Sequence, residues 1–146
     1  MEGTQRRRQV TAGLLAAIAA AATDYGYLAV IHSQGVSDPL SGTVPFVSGY
    51  IAAIAAAALI GLATVLTGRM AAAKTAFLGA AAGSAALGFL AIFSIGLALL
   101  ITAGLLAVAA RTVGPITGPK PWLWPMSAAA FAIVALILGF AIVGTF

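Results

Sequence analysis

An all-α fold, specifically a polytopic transmembrane helical bundle, is what this sequence predicts, and three observations predict it. Of its 146 residues, 62% are hydrophobic and 7% are charged, whereas soluble domains carry about 25% charged residues. The charged side chains, seven basic and three acidic, lie at the edges of long apolar runs, with Asp24 the exception. Those runs have the length needed to cross a hydrocarbon core of about 30 Å. Five spans are expected, over residues 10–31, 44–66, 75–92, 96–110 and 125–144, with four as the alternative. Together they form a single transmembrane domain over residues 1–146.

The first run, residues 10–31, follows Arg6, Arg7 and Arg8. At 1.5 Å per residue its length is about 33 Å, matching the bilayer interior. The same stretch also fits a secretory signal peptide, with the arginines as its basic region and Ala20-Ala21-Ala22 as a small-residue cleavage site. The chain carries the segment, so it is read as an uncleaved anchor. Residues 32–43, HSQGVSDPLSGT, are polar and contain Pro39, and they read as a surface loop. The second run, residues 44–66, has Pro45 in its first turn, where a missing N–H costs little. Gly68, Arg69 and Lys74 then mark a short return.

Residues 75–110 carry no charge. As one rod they would extend about 54 Å, more than tilting accommodates. A break is therefore required, and Phe93-Ser94-Ile95-Gly96 near the midpoint is the candidate. After Arg111, a loop rich in Pro and Gly carries Lys120, with Trp122 and Trp124 ahead of the last run. Indole rings suit the headgroup boundary there. With five spans, Arg6, Arg7, Arg8, Arg69, Lys74, Arg111 and Lys120 all share one side and Asp38 lies on the other. The bias of Lys and Arg toward the cytoplasm then places the N-terminus inside.

Small residues recur every fourth position, the spacing that lets helices approach closely in lipid. They are Gly49, Ala53, Ala57 and Gly61 in the second run, and Ala72, Ala76, Ala80, Ser84 and Gly88 in the third, with Gly79 and Gly83 as a GxxxG pair. In the first run Ala12, Ala16 and Ala20 lead to Asp24. Alanine-rich chains produce such patterns by chance, so intramolecular packing and docking on another subunit both account for them.

Asp24 is the acidic residue inside a span, with Tyr27 one turn on. Facing lipid would cost about 2.5–3.5 kcal/mol, so it should face the bundle or a wet cavity. It is read either as a proton- or cation-responsive group supported by Tyr27, or as an interhelical anchor near the outer boundary. His32 is the single histidine and reads as a loop residue. With zero cysteines, thiolate metal sites and disulfides are excluded. No nucleophile–base set, phosphate loop or ligand spacing for a metal or haem is present, so no cofactor and no enzymatic activity are expected. The net charge of +4 comes from side chains at span ends, which implies contact with the lipid bilayer and no nucleic acid.

Two phrases, Val44-Pro45-Phe46-Val47-Ser48-Gly49-Tyr50 and Leu90-Ala91-Ile92-Phe93-Ser94-Ile95-Gly96-Leu97, together with the Ala-rich runs, resemble small uncharacterised multi-pass membrane proteins of high-GC actinobacteria. The resemblance covers residues 44–110. It implies a plasma-membrane location and a helical hairpin at Phe93-Ser94-Ile95-Gly96, and it supplies no activity. Ala98 stands where that pattern often has proline, which leaves the turn less enforced. The expectation is a non-catalytic integral membrane protein, an accessory or assembly subunit whose partners are other membrane proteins or itself. A small transporter or channel component built on Asp24 is the alternative.

Overall fold

The computed structural model describes residues 2–35, 43–91, 95–116 and 120–143. They form five helices: α1 (Glu2–Ser33), α2 (Val44–Leu66), α3 (Met70–Leu90), α4 (Gly96–Thr112) and α5 (Leu123–Val143). Four are long and apolar enough to cross a membrane, and α4, at 17 residues, is a shorter apolar helix. No strand occurs among the described residues. Asp38, Phe93 and Ser94 lie outside them.

Helices α1 to α4 close a ring. α1 packs on α2 and α4, and α3 packs on the same two from the opposite corner. α5 stands outside the ring against α3, touching α2 only slightly. Polar side chains fix the directions. Arg6 Nη2 donates to the Leu66 carbonyl at 3.1 Å, and Gln9 Nε2 donates to that of Thr112 at 3.0 Å. Lys74 Nζ donates to the Gly114 carbonyl at 2.6 Å. The starts of α1 and α3 thus meet the ends of α2 and α4. Gly79 and Gly83 on α3 face Ala128 and Ala132 on α5 in the same order, so those two helices run parallel. Successive helices therefore run in opposite directions, with α1, α3 and α5 sharing one sense. Arg6, Arg69, Lys74 and Arg111 collect at one end, and Lys120 precedes α5 there.

Two helix starts differ from the sequence reading. α1 starts at Glu2 rather than near residue 10, because Arg6, Arg7 and Arg8 are good helix formers and Arg6 binds the end of α2. The return after α2 is shorter than expected. α3 begins at Met70, and Lys74 lies in its second turn with its stem along the helix and its ammonium at Gly114. α2 ends in a Schellman turn. The Arg69 N–H binds the Thr64 carbonyl at 2.8 Å and the Gly68 N–H binds that of Val65 at 3.1 Å. Gly68 has φ +76°, a conformation that glycine adopts without strain.

The charge-free stretch is broken as required. α3 and α4 pack side by side, and the Gly96 N–H closes the bend on the Ala91 carbonyl at 2.8 Å. A Cβ at Gly96 would collide with the Gly88 carbonyl and lie 2.6 Å from that of Ala91, so only glycine fits.

The centre of the ring is filled by Phe77 of α3, which is fully buried. It fits because Gly13 on α1 and Gly61 on α2 have no side chain. A Cβ there would lie 3.1 Å and 2.7 Å from the Phe77 ring. Most of the cluster around it is alanine, including Ala16, Ala20, Ala58, Ala73 and Ala109, with Ile54, Val65, Leu106 and Val113 as its larger members. Larger side chains, including Leu14, Leu15, Ile18, Leu59, Ile60, Ile101, Phe131 and Ile137, point outward and are exposed. An apolar exterior of this extent suits lipid rather than water.

Gly61→Ala should lower stability by about 1–2 kcal/mol, overpacking against Phe77 outweighing the gain in helix propensity. Gly49→Ala, with nothing within 4 Å of its added methyl, should be neutral or slightly stabilising. Unfolding of the detergent-solubilised protein measures both, and equal effects would contradict this packing.

Candidate functional site

Toward the end of the bundle opposite the cations, polar side chains occupy the contact surfaces of α1. Thr23 Oγ1 hydrogen-bonds Thr102 Oγ1 of α4 at 3.2 Å and also donates to the Ala19 carbonyl at 2.8 Å. Its neighbour Asp24 accepts a 3.0 Å hydrogen bond at Oδ1 from Ser48 Oγ of α2. Thr23 and Thr102 are buried, while Asp24 and Ser48 are half-buried. Adjacent residues on a helix point about 100° apart. Thr23 therefore reaches one neighbour and Asp24 the other.

The depth of the carboxylate follows from its partner. Ser48 is one turn in from the start of α2, so Asp24 lies about 6 Å from the end of the bundle opposite the cations. It follows Ala16 and Ala20, both fully buried, down the same face of α1. The side chain faces the bundle, as expected of a carboxylate in an apolar span.

Tyr27 is half-buried one turn beyond Asp24. Its ring packs against an apolar cluster of Val47, Ile51, Leu87, Leu99 and Leu136. Among the described residues no hydrogen bond joins it to Asp24. His32 belongs to the last turn of α1 rather than to a loop, and it is exposed.

The small-residue stripes divide between packing and open surface. On α3, Ala80, Ser84 and Gly88 are buried, and the Gly79–Gly83 pair seats α5. A Cβ at Gly79 would lie 3.1 Å from that of Ala128, and one at Gly83 would lie 2.8 Å from the Tyr50 hydroxyl. Ala72 and Ala76, lower on the same stripe, line a groove. On α2, Gly61 of the predicted four is buried against Phe77, and Ala57 packs partly buried on the same cluster. Ala53 and Ala57 line the groove, and Gly49 faces open space. The buried face of α2 instead carries Val47, Ile51, Ile54, Ala58, Gly61 and Val65. Its contacts with α1 and α3 leave room for branched side chains, which a rule based on small residues does not anticipate.

Other polar residues join helices in ways the sequence reading missed. Ser84 Oγ, fully buried, donates to the Leu99 carbonyl at 2.8 Å and ties α3 to α4. Tyr50 Oη donates to the Ala132 carbonyl at 2.7 Å and ties α2 to α5. Isolated hydroxyls within apolar runs were the available signal, since each requires a partner once water is excluded.

Two grooves flank α5. One, of about 660 Å³, lies between α2, α3 and α5. The other, of about 620 Å³, lies between α3, α4 and α5 and includes Gly104 and Trp122. Both are lined mainly by alanine and open to the surroundings. Asp24 lines neither. Searched against family models, curated proteins and solved structures, the chain gives no match in any of the three.

A double-mutant cycle of Asp24→Leu and Ser48→Ala should give a coupling of about 0.6 kcal/mol, and at most about 1.7, the range for interhelical hydrogen bonds in membranes. Asp24→Asn, which keeps an acceptor oxygen, should change stability by less than about 0.5 kcal/mol. Zero coupling would contradict the assignment of Asp24 as a helix tie.

Proposed function

We propose that this chain is a non-catalytic membrane protein with five spans, its cationic end on the cytoplasmic side of the plasma membrane. We further propose that it serves as an accessory or assembly subunit of a larger membrane complex. The carrying observation is the use of polar side chains inside the bundle. Thr23 with Thr102, Asp24 with Ser48, Ser84 with Leu99 and Tyr50 with Ala132 each join two helices. They are spread over different helix pairs and do not converge on one point where a substrate would meet them.

A second observation supports assembly. α2 turns Gly49, Ala52 and Ala56 outward, all exposed, and no atom lies within 4 Å of a Cβ built on Gly49. These positions lie on one face, apart from the groove beside α5. In lipid, a face of small residues lets another helix approach closely. The orientation rests on the bias of Lys and Arg toward the cytoplasm, applied to the end where they gather. The alternative, a carrier or channel component with Asp24 as its ion-responsive group, is less well supported. The carboxylate is one turn from the outer end, bonded to Ser48, and lines neither groove beside α5.

Extraction in mild detergent followed by mass measurement tests the proposal. The wild-type protein should carry a second membrane protein or a further copy of itself. Gly49→Leu combined with Ala56→Leu should remove that partner while leaving the unfolding midpoint unchanged. A strictly monomeric wild type would contradict it. Ion flux in liposomes that Asp24→Asn abolishes would transfer the assignment to the carrier reading.

A further inference from the structure

The groove between α2, α3 and α5 occupies only half of the bundle's height. In the outer half α5 closes on α2: the Phe46 and Phe140 rings meet edge to face at 5.2 Å, and Phe46 lies directly over Gly139. Leu136 is buried against Val47, Ile51, Leu87 and Leu99. The Tyr50–Ala132 hydrogen bond lies where this contact ends. Below it the two helices diverge, and the groove continues along Ala128 and Phe131 to Trp124. From Ala135 to Trp124 it is about 17 Å long, close to half of a hydrocarbon core of about 30 Å. That is the depth of one leaflet. A partner's transmembrane helix would need a channel of full height, whereas an acyl chain needs only this.

The mouth of the groove lies at the cationic end. Ala71, Ala72 and Trp124 line it there. Arg69 precedes the first pair by two residues, and Lys120 precedes Trp124 by four. Both cationic side chains are exposed, and neither forms an ion pair or hydrogen bond with any described residue. By contrast, Arg6 and Lys74 at the same end are bonded to carbonyls. α3 and α5 are parallel and both begin here, so two helix N-termini add positive potential beside the same opening. An apolar slot one leaflet deep, beneath two cations that have no partner among the described residues, is complementary to an anionic lipid.

We infer that this groove is a binding site for an anionic phospholipid of the cationic-side leaflet, with one acyl chain against α3 between α2 and α5 and the phosphate at Arg69 and Lys120. The inference rests on the membrane orientation proposed above. The lipid fills the space that a fifth helix packed on only one side leaves open, and it holds α5 to the ring on the side where α2 does not reach.

The two tryptophans make this measurable, because Trp124 lines this groove and Trp122 the other. In Trp122→Phe protein, Trp124 is the sole indole. Its fluorescence is quenched by lipid carrying bromine on the acyl chain. In phosphatidylcholine vesicles containing brominated phosphatidylglycerol or, at equal mole fraction, brominated phosphatidylcholine, the anionic lipid should be preferred at Trp124 by roughly five- to tenfold. Arg69→Gln with Lys120→Gln should abolish the preference. Arg7→Gln with Arg8→Gln, on α1 at a corner of the ring away from the groove, should leave it intact. Ala76→Leu, which fills the groove, should reduce the anionic lipid's excess quenching while helicity is unchanged. Equal quenching by the two lipids would overturn the inference and leave the membrane reading standing. So would loss of the preference in the Arg7 and Arg8 control, which would indicate diffuse attraction to the whole cationic end. Absence of quenching by either lipid would overturn both.

Discussion

Charge cannot be left in hydrocarbon, and that constraint organises this molecule. A Lys or Arg at the centre of a membrane helix costs about 2.5–3.5 kcal/mol on insertion scales, so such residues mark where the chain leaves the lipid. Here they bring the ends of alternate helices together. Arg6, Gln9 and Lys74 each donate to a carbonyl at or just past the end of α2 or α4, groups a helix cannot satisfy internally. The cationic end is therefore both the boundary of the apolar bundle and the set of contacts that fixes helix direction.

Within that frame, packing depends on small residues and one aromatic ring. Lipid tails are as apolar as the side chains, so burial alone gives helices little reason to associate. Close approach does, and alanine permits it. Phe77 then fills the space left where Gly13 and Gly61 withdraw, giving the ring of four helices a defined centre. α5 lacks such an insertion in its half nearer the cations. It is held by Gly79 and Gly83 along α3 and by Phe46, Tyr50 and Leu136 in the half away from the cations, and is otherwise exposed.

Much of this is legible in the sequence, for physical reasons that also set the limit. Span existence follows from charge spacing, and the break near Gly96 follows from length, since no bilayer holds a rod of about 54 Å. α3 starts at Met70, ahead of Lys74, because a long stem lets an ammonium leave the lipid from within a helix. The stripe on α3 largely describes its buried face. The stripe on α2 does not, because alanine is common on both faces of that helix and four-residue spacing cannot tell a contact from an open surface. The reach of Tyr50 to Ala132 and the seat of Phe77 depend on which helices are neighbours, and that is absent from any local pattern. Asp24 was legible as a bundle-facing carboxylate, but its partner Ser48 was not.

The account depends on an odd number of crossings with the cations on the inner side. A reporter enzyme that is active only in the cytoplasm, fused after Phe146, tests this most directly. The account predicts that the fusion is silent and that a periplasm-active or externally active reporter at the same position gives full signal. Cytoplasmic activity of the fusion would contradict the alternation of the five helices across the membrane, and with it the orientation on which both the assembly face and the lipid groove are argued.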